Sequence, residues 1–113
     1  MNAKPEDLEI RTRRFAIEVM GQIKKIKLSI YNEHIIRQLL RSSSSIGANY
    51  SEAKETITKK DFVNKIVVCK KEAKETIYWL DLLGSEQNSA TAFSLSRNEA
   101  HEFIMIFVAM IRN

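Results

Sequence analysis

One proline and three glycines in 113 residues leave this chain with little of what turns a strand back on itself. Sheets built from hairpins need turn residues at each reversal, so a fold with many strands is excluded. The single cysteine, Cys69, rules out an intramolecular disulfide. It falls in an apolar helical stripe and reads as a small buried hydrophobe rather than a reactive thiol. No apolar run approaches the ~20 residues of a membrane span. The N-terminal stretch MNAKPEDLEIRTRRF places charges where the apolar part of a secretory signal would lie. A cytoplasmic protein without membrane contact is the expectation. There is no glycine-rich phosphate loop, and the serine cluster at 42–45 has no nearby His and Asp ordered for nucleophilic catalysis.

What is present is helical pattern. Hydrophobic residues make up 44% and charged residues 28%, ordinary for a globular protein. The length fits one domain, residues 1–113, with a single core. Its organising stretch is Arg41 to Ala53, RSSSSIGANYSEA. Ile36, Ser43, Tyr50 and Ile57 recur every seven residues, and Leu39, Ile46 and Ala53 follow the first three by three. That register marks a helix packed along a partner at a shallow angle. Serine and glycine also favour loops, but the register runs through them without a break. Ser43, Gly47 and Ala48 are too small to fill a core and predict close approach of a neighbouring backbone. Gly47 costs a helix about 1 kcal/mol relative to Ala, which such packing would offset.

The spacing predicts four helices, over about residues 6–28, 33–57, 59–83 and 97–112. Pro5 suits a first helical position, and Glu6, Asp7 and Glu9 complement a helix N-terminus. Leu8, Thr12, Phe15, Val19, Ile23 and Ile26 form the first stripe, and Tyr31 and Asn32 the connection. Thr58 with Asp61 and Ser96 with Glu99 read as capping boxes. Phe62, Ile66, Cys69, Ala73, Ile77, Leu80 and Leu83 form the stripe of the third helix, with Gly84 as its stop. Ser85 to Ser94 reads as the longest loop.

The last helix holds nine apolar residues in a row, Phe103 to Ile111. One packed stripe needs only three or four per seven. The excess predicts cover from another subunit; the alternative is a helix lying centrally over the other three. Val63, Val67, Val68, Tyr78 and Trp79 lie off the main stripe of the third helix and point the same way. Val68, Tyr78, Trp79, Phe103 and Phe107 are therefore the expected interface of a homo-oligomer.

No catalytic, metal or cofactor set emerges. Glu52, Glu72 and Glu75 lack the Glu-x-x-His pairs of a di-metal bundle, because position 31 is Tyr and position 98 is Asn. Arg97 and His101 fall one residue short of the Arg-Asn-x-x-x-His pair of one class of helical-bundle ribonucleases. The shift turns the imidazole by about 100° around the helix. An arginine in a capping turn and a surface histidine is the simpler reading, and the expectation is a protein that is not an enzyme.

The charge is uneven. The net charge is +4, but residues 10–41 alone hold eight bases against two acids, an excess of +6. Arg37 and Arg41, and Arg11 and Arg14, stand a turn apart, as do Lys70 and Lys74. Such pairs can follow a phosphate backbone. Arg11, Arg14, Lys24, Lys25, Arg37 and Arg41 are the expected nucleic-acid contacts. No aromatic platform is interleaved with these bases, so base stacking is not predicted.

Ser45-Ile46-Gly47-Ala48-Asn49-Tyr50, Glu52-Ala53, Asp61-Phe62, Lys65, Lys70-Lys71-Glu72-Ala73, Glu75-Thr76, Tyr78-Trp79-Leu80 and Leu82-Leu83 carry a resemblance. This constellation resembles the bacterial four-helix-bundle family often called the 23S ribosomal RNA intervening-sequence protein family. Cys69 departs from it conservatively, standing where an aliphatic residue is expected. The resemblance implies an all-α, up-down four-helix bundle that assembles as a ring-like homo-oligomer, often a pentamer. A related group, the accessory variability proteins of retroelements, binds nucleic acid and a reverse transcriptase. The partners it implies are therefore further copies of the chain, RNA or DNA, and a protein such as a reverse transcriptase. Two functions remain, a nucleic-acid-binding or ribonucleoprotein accessory module and an oligomeric protein–protein scaffold.

Overall fold

A computed structural model describes residues 7–113 of the chain. The expected roles of Pro5 and Glu6 lie outside the described residues. Four helices follow one another: α1 (Leu8–Ile23), α2 (Glu33–Lys54), α3 (Lys59–Glu86) and α4 (Ser94–Arg112). The described residues contain no strand. Residues that meet across helices fix the directions. Glu9 near the start of α1 binds Lys54 at the end of α2. Ser42 and Glu52 on α2 meet Thr76 and Lys65 on α3. Asp81 late in α3 meets Arg97 early in α4. Each helix therefore runs antiparallel to the one before it, in an up-down arrangement.

The seven-residue register of α2 faces inward as its periodicity requires. Leu39 and Ile46 are wholly buried, and Ile36, Ser43 and Ala53 nearly so. The pattern of α1 buries Thr12, Phe15 and Val19, and that of α3 buries Ile66, Cys69, Ala73, Leu80 and Leu83. Gly47 is where two backbones close up. A Cβ there would lie 2.8 Å from Thr12 Oγ1 and 3.2 Å from Thr12 Cβ, so only glycine admits α1 at this distance. Thr12 satisfies its buried hydroxyl by donating to the Glu9 carbonyl. Between α2 and α3 the hydroxyls of Ser42 and Thr76, both buried, lie 2.9 Å apart and share a hydrogen bond.

The helix ends differ from the pattern, each for a local reason. α1 stops at Ile23 rather than near residue 28, in a tightened turn where Ile26 N donates to the Ile23 carbonyl. Asn32 then locks the connection. Its buried amide donates to the Lys27 carbonyl at 3.0 Å and accepts from Ser29 N at 2.9 Å. α2 ends at Lys54, so Ile57 falls out of register and is 98% exposed. Thr58 caps α3 as read, accepting from Asp61 N at 3.1 Å. Gly84 does not stop α3. It is buried inside the helix because the Ser89 carbonyl passes close by, 2.9 Å from where its Cβ would be. The helix ends beyond it, with Asn88 in the left-handed region at φ 55°. α4 starts at Ser94, three residues early, with Phe93 at its cap. Ser96 is therefore inside the helix and forms no capping box. It is buried and accepts from Gln22 Nε2 at 2.8 Å.

Candidate nucleic-acid interface

The six expected phosphate contacts divide by what their charges already do. Arg11 is turned inward across the α1–α4 seam. Its Nε donates to Glu99 Oε2 at 2.7 Å, and its Nη2 donates to Glu99 Oε1 and to Glu102, each at 2.8 Å. The guanidinium also lies 5.2 Å from the centre of the Phe103 ring. Glu99 holds Arg11 firmly protonated, and Arg11 in turn holds the Glu99 carboxyl below the usual range.

Arg41 is spent in the same way between α2 and α3. Its guanidinium reaches Glu72 at 3.2 Å and binds Glu75. Trp79 Nε1 donates to the same Glu75 carboxylate at 3.0 Å. That donor and then Arg41 keep Glu75 below its ordinary pKa. A phosphate would have to displace these carboxylates, so neither Arg11 nor Arg41 is a ready contact. Both arginines tie helices together.

The others lie at the surface. Lys24 and Lys25 follow the last residue of α1, with Lys27 in the connection; all three are exposed. No carboxylate among the described residues stands within ion-pair distance of them. Arg14 and Lys25 line an open cleft of about 720 Å³ between α1 and α4, with Glu18, Glu99 and Glu102 among its walls. Beside that cleft the Oε1 of Gln22 is buried and accepts no hydrogen bond. Arg37 binds Glu33 at 2.7 Å along the exposed surface of α2, with both side chains more than half exposed. Solvent screens such a pair, which leaves it easily exchanged for a phosphate. The six residues thus form no single stripe.

The expected subunit interface also divides. Phe103 and Phe107 are corrected: both are wholly buried within the chain, Phe103 edge-on to Phe15 and Phe107 beside Tyr50. They are unavailable to a partner. In the apolar run of α4, Met105 is 61% exposed and Ala109 is exposed, while Ile104, Ile106 and Val108 are half-buried. The other helices therefore cover one side of α4, the side that carries the two phenylalanines. Val68 and Trp79 are half-buried and Tyr78 is exposed. Further apolar side chains that stripe counting passed over are exposed on α1, namely Ile10, Ile17 and Met20.

Residues weighed for chemistry have simpler occupations. Glu52 binds Lys65 at 2.5 Å, and Glu72 and Glu75 bind Arg41. Arg97 grips Asp81 through Nε at 2.8 Å, and His101 is exposed one turn along α4. Cys69 is buried, and burial pushes its thiol up to about 12. One grouping is new. The rings of His34, Trp79 and Tyr78 stand edge to face in sequence, with centres 5.5 Å and 4.9 Å apart. Reading along the sequence missed it because 45 positions separate His34 from Trp79; the off-stripe placement of Tyr78 and Trp79 was the available signal.

Residues 6–106 match the family described as 23S rRNA-intervening sequence protein. The chain belongs to that family. A solved structure from Bacteroides thetaiotaomicron, described as a protein with unknown function from the S23 ribosomal protein family, is 28% identical to it. The two superpose with a TM-score of 0.82 over 95% of this chain and all of that one. No curated protein matches the chain. Among the described residues of this family member, no helix is long and apolar enough to cross a membrane.

Proposed function

We propose that the protein is a non-enzymatic nucleic-acid-binding or ribonucleoprotein accessory module of the cytoplasm, working as a homo-oligomer. The observation that carries this reading is the group Lys24, Lys25 and Lys27. Three exposed lysines gather at one end of the bundle and carry no ion pair among the described residues, while Arg11 and Arg41 are neutralised internally. Free lysines on a rigid turn bind phosphates as point charges, with little regard to base sequence.

Repetition would strengthen weak contacts. Ile10, Ile17 and Met20 on α1 and Met105 on α4 leave apolar area that a second copy would cover. The pentameric ring implied by the resemblance would present the lysine group in every subunit and sum its contacts through avidity. A second reading is a protein scaffold, with a partner such as a reverse transcriptase. Leu28, Ile30 and Tyr31, all exposed beside the same lysines, favour it. Retention of RNA by the purified protein separates the two. The nucleic-acid reading requires retention at low salt that falls as salt rises, and the scaffold reading requires none at any salt.

A further inference from the structure

The chain has one tryptophan, and it sits at the centre of an aromatic ledge spanning α2 and α3. His34 meets Trp79 at an interplanar angle of 85°, and Tyr78 meets it at 79°. Both neighbours therefore stand upright against the indole. Trp79 is fixed from below, because its Nε1 is bound to Glu75, which is in turn bound by Arg41. Tyr78 is 59% exposed although its ring has a rigid neighbour. A large aromatic held in place and left open differs from one that is exposed for want of packing.

The acids around the ledge are in ion pairs, those of Glu33 and Asp81 exposed to solvent. Each acid near it is already paired: Glu33 with Arg37, Glu72 and Glu75 with Arg41, and Asp81 with Arg97. Among the described residues, Lys70, Lys71 and Lys74 on α3 have no carboxylate within ion-pair distance. Lys74 precedes Tyr78 by one turn and Lys71 by two, about 6 Å and 10 Å along the helix axis. Positions 71, 74 and 78 share one face of α3, and Lys71, Lys74 and Tyr78 are all exposed. Across the seam on α2, Arg37 stands one turn from His34.

We propose that this ledge is a stacking platform for single-stranded nucleic acid. Tyr78 receives the face of an unpaired base, with Trp79 holding its ring upright and His34 set against Trp79. Lys74 and Lys71 bind the phosphates on one side of that base. Duplexes are poor ligands, because their bases are already stacked on each other. Stacking on a ring tolerates any base, so the site discriminates strandedness and not sequence. The proposal deepens the nucleic-acid reading above and rests on it.

The test titrates the full-length protein at low salt with a 12-residue oligouridylate and with an abasic strand of equal length and charge. Trp79 fluorescence reports the ledge directly. The expected result is quenching by oligouridylate and binding about 5- to 150-fold tighter than the abasic strand, the range of one stacked base. Tyr78→Ala should abolish that preference and Tyr78→Phe should keep it. Equal binding of the two strands by the wild type overturns the platform while leaving phosphate binding standing. Binding of neither strand overturns the platform and the nucleic-acid reading together. A lower mass for Tyr78→Ala by light scattering assigns the ledge to a contact between copies and also overturns it.

Discussion

Arg11 and Glu99 are 88 residues apart and join the first helix to the last through two parallel hydrogen bonds of 2.7 and 2.8 Å. Both side chains keep only about a fifth to a quarter of their exposure. At that depth a forked arginine–carboxylate pair is stronger than a surface ion pair. The pair closes the α1–α4 seam beside Phe103, and Glu99 also forms part of the wall of the open cleft lined by Arg14 and Lys25.

Arg11→Met should therefore lower stability, by about 1–3 kcal/mol for a charge-assisted pair, or several degrees in melting temperature. Nucleic-acid affinity should stay unchanged. The pH dependence has a definite sign. Arg11 lowers the Glu99 carboxyl in the folded state, so the pair's contribution is present above the unfolded pKa near 4.5 and is lost as pH falls through the folded value. Melting scans between pH 3 and pH 6 should show the wild-type advantage over Arg11→Met shrinking toward acid. An advantage that grew toward acid would contradict this assignment.

Two glycine substitutions should act in opposite directions. Gly47→Ala puts a methyl 2.8 Å from Thr12 Oγ1, and Gly21→Ala meets nothing within 4 Å. Overpacking costs about 1–3 kcal/mol, against a gain of about 1 kcal/mol from replacing a helical glycine. Denaturant titration should find Gly47→Ala less stable than wild type and Gly21→Ala more stable by up to about 1 kcal/mol.

Phe107→Asp should unfold the chain outright, because a charge would be buried without a partner at a site with no exposure. Ile17→Asp or Met105→Asp should leave helicity intact, since both positions are more than half exposed. If the proposed assembly uses that surface, light scattering should give a lower mass for these two variants than for the wild type. A wild-type monomer at micromolar concentration would refute the oligomer.

Cys69 should resist a thiol reagent at pH 8 in the folded protein and react rapidly in denaturant, because its thiol is buried and its pKa is raised to about 12. Rapid reaction of the native protein would show that the α2–α3 core opens readily.

Much of this fold was legible in the order of residues, because it rests on local period. Leu39, Ile46 and Ala53 repeat every seven residues and are buried for that reason. Gly47 announced a close approach, although its partner, Thr12, lies 35 residues away. What misled were features whose meaning depends on distant residues. Nine apolar residues in a row do not say which of them face inward, so Phe103 and Phe107 were assigned to the wrong surface. Ser96 had the spacing of a cap but lies inside α4, hydrogen-bonded to Gln22 on α1. The candidate site was legible as a charge excess only. Arg41 and Lys24 are equal in a count, and only the positions of Glu72 and Glu75 separate them.

That separation is what the functional account rests on, and salt-dependent binding measures it most directly. Affinity for a single-stranded RNA should be recorded against salt for the wild type, for Lys24→Gln with Lys25→Gln, and for Arg41→Gln. The wild-type logarithmic plot should fall with salt. Its slope should drop by about 0.7 for each phosphate contact that the lysine pair loses. Arg41→Gln should melt earlier yet keep the wild-type slope. A slope changed by Arg41→Gln but not by the lysine pair, or no binding by the wild type at low salt, would contradict the account.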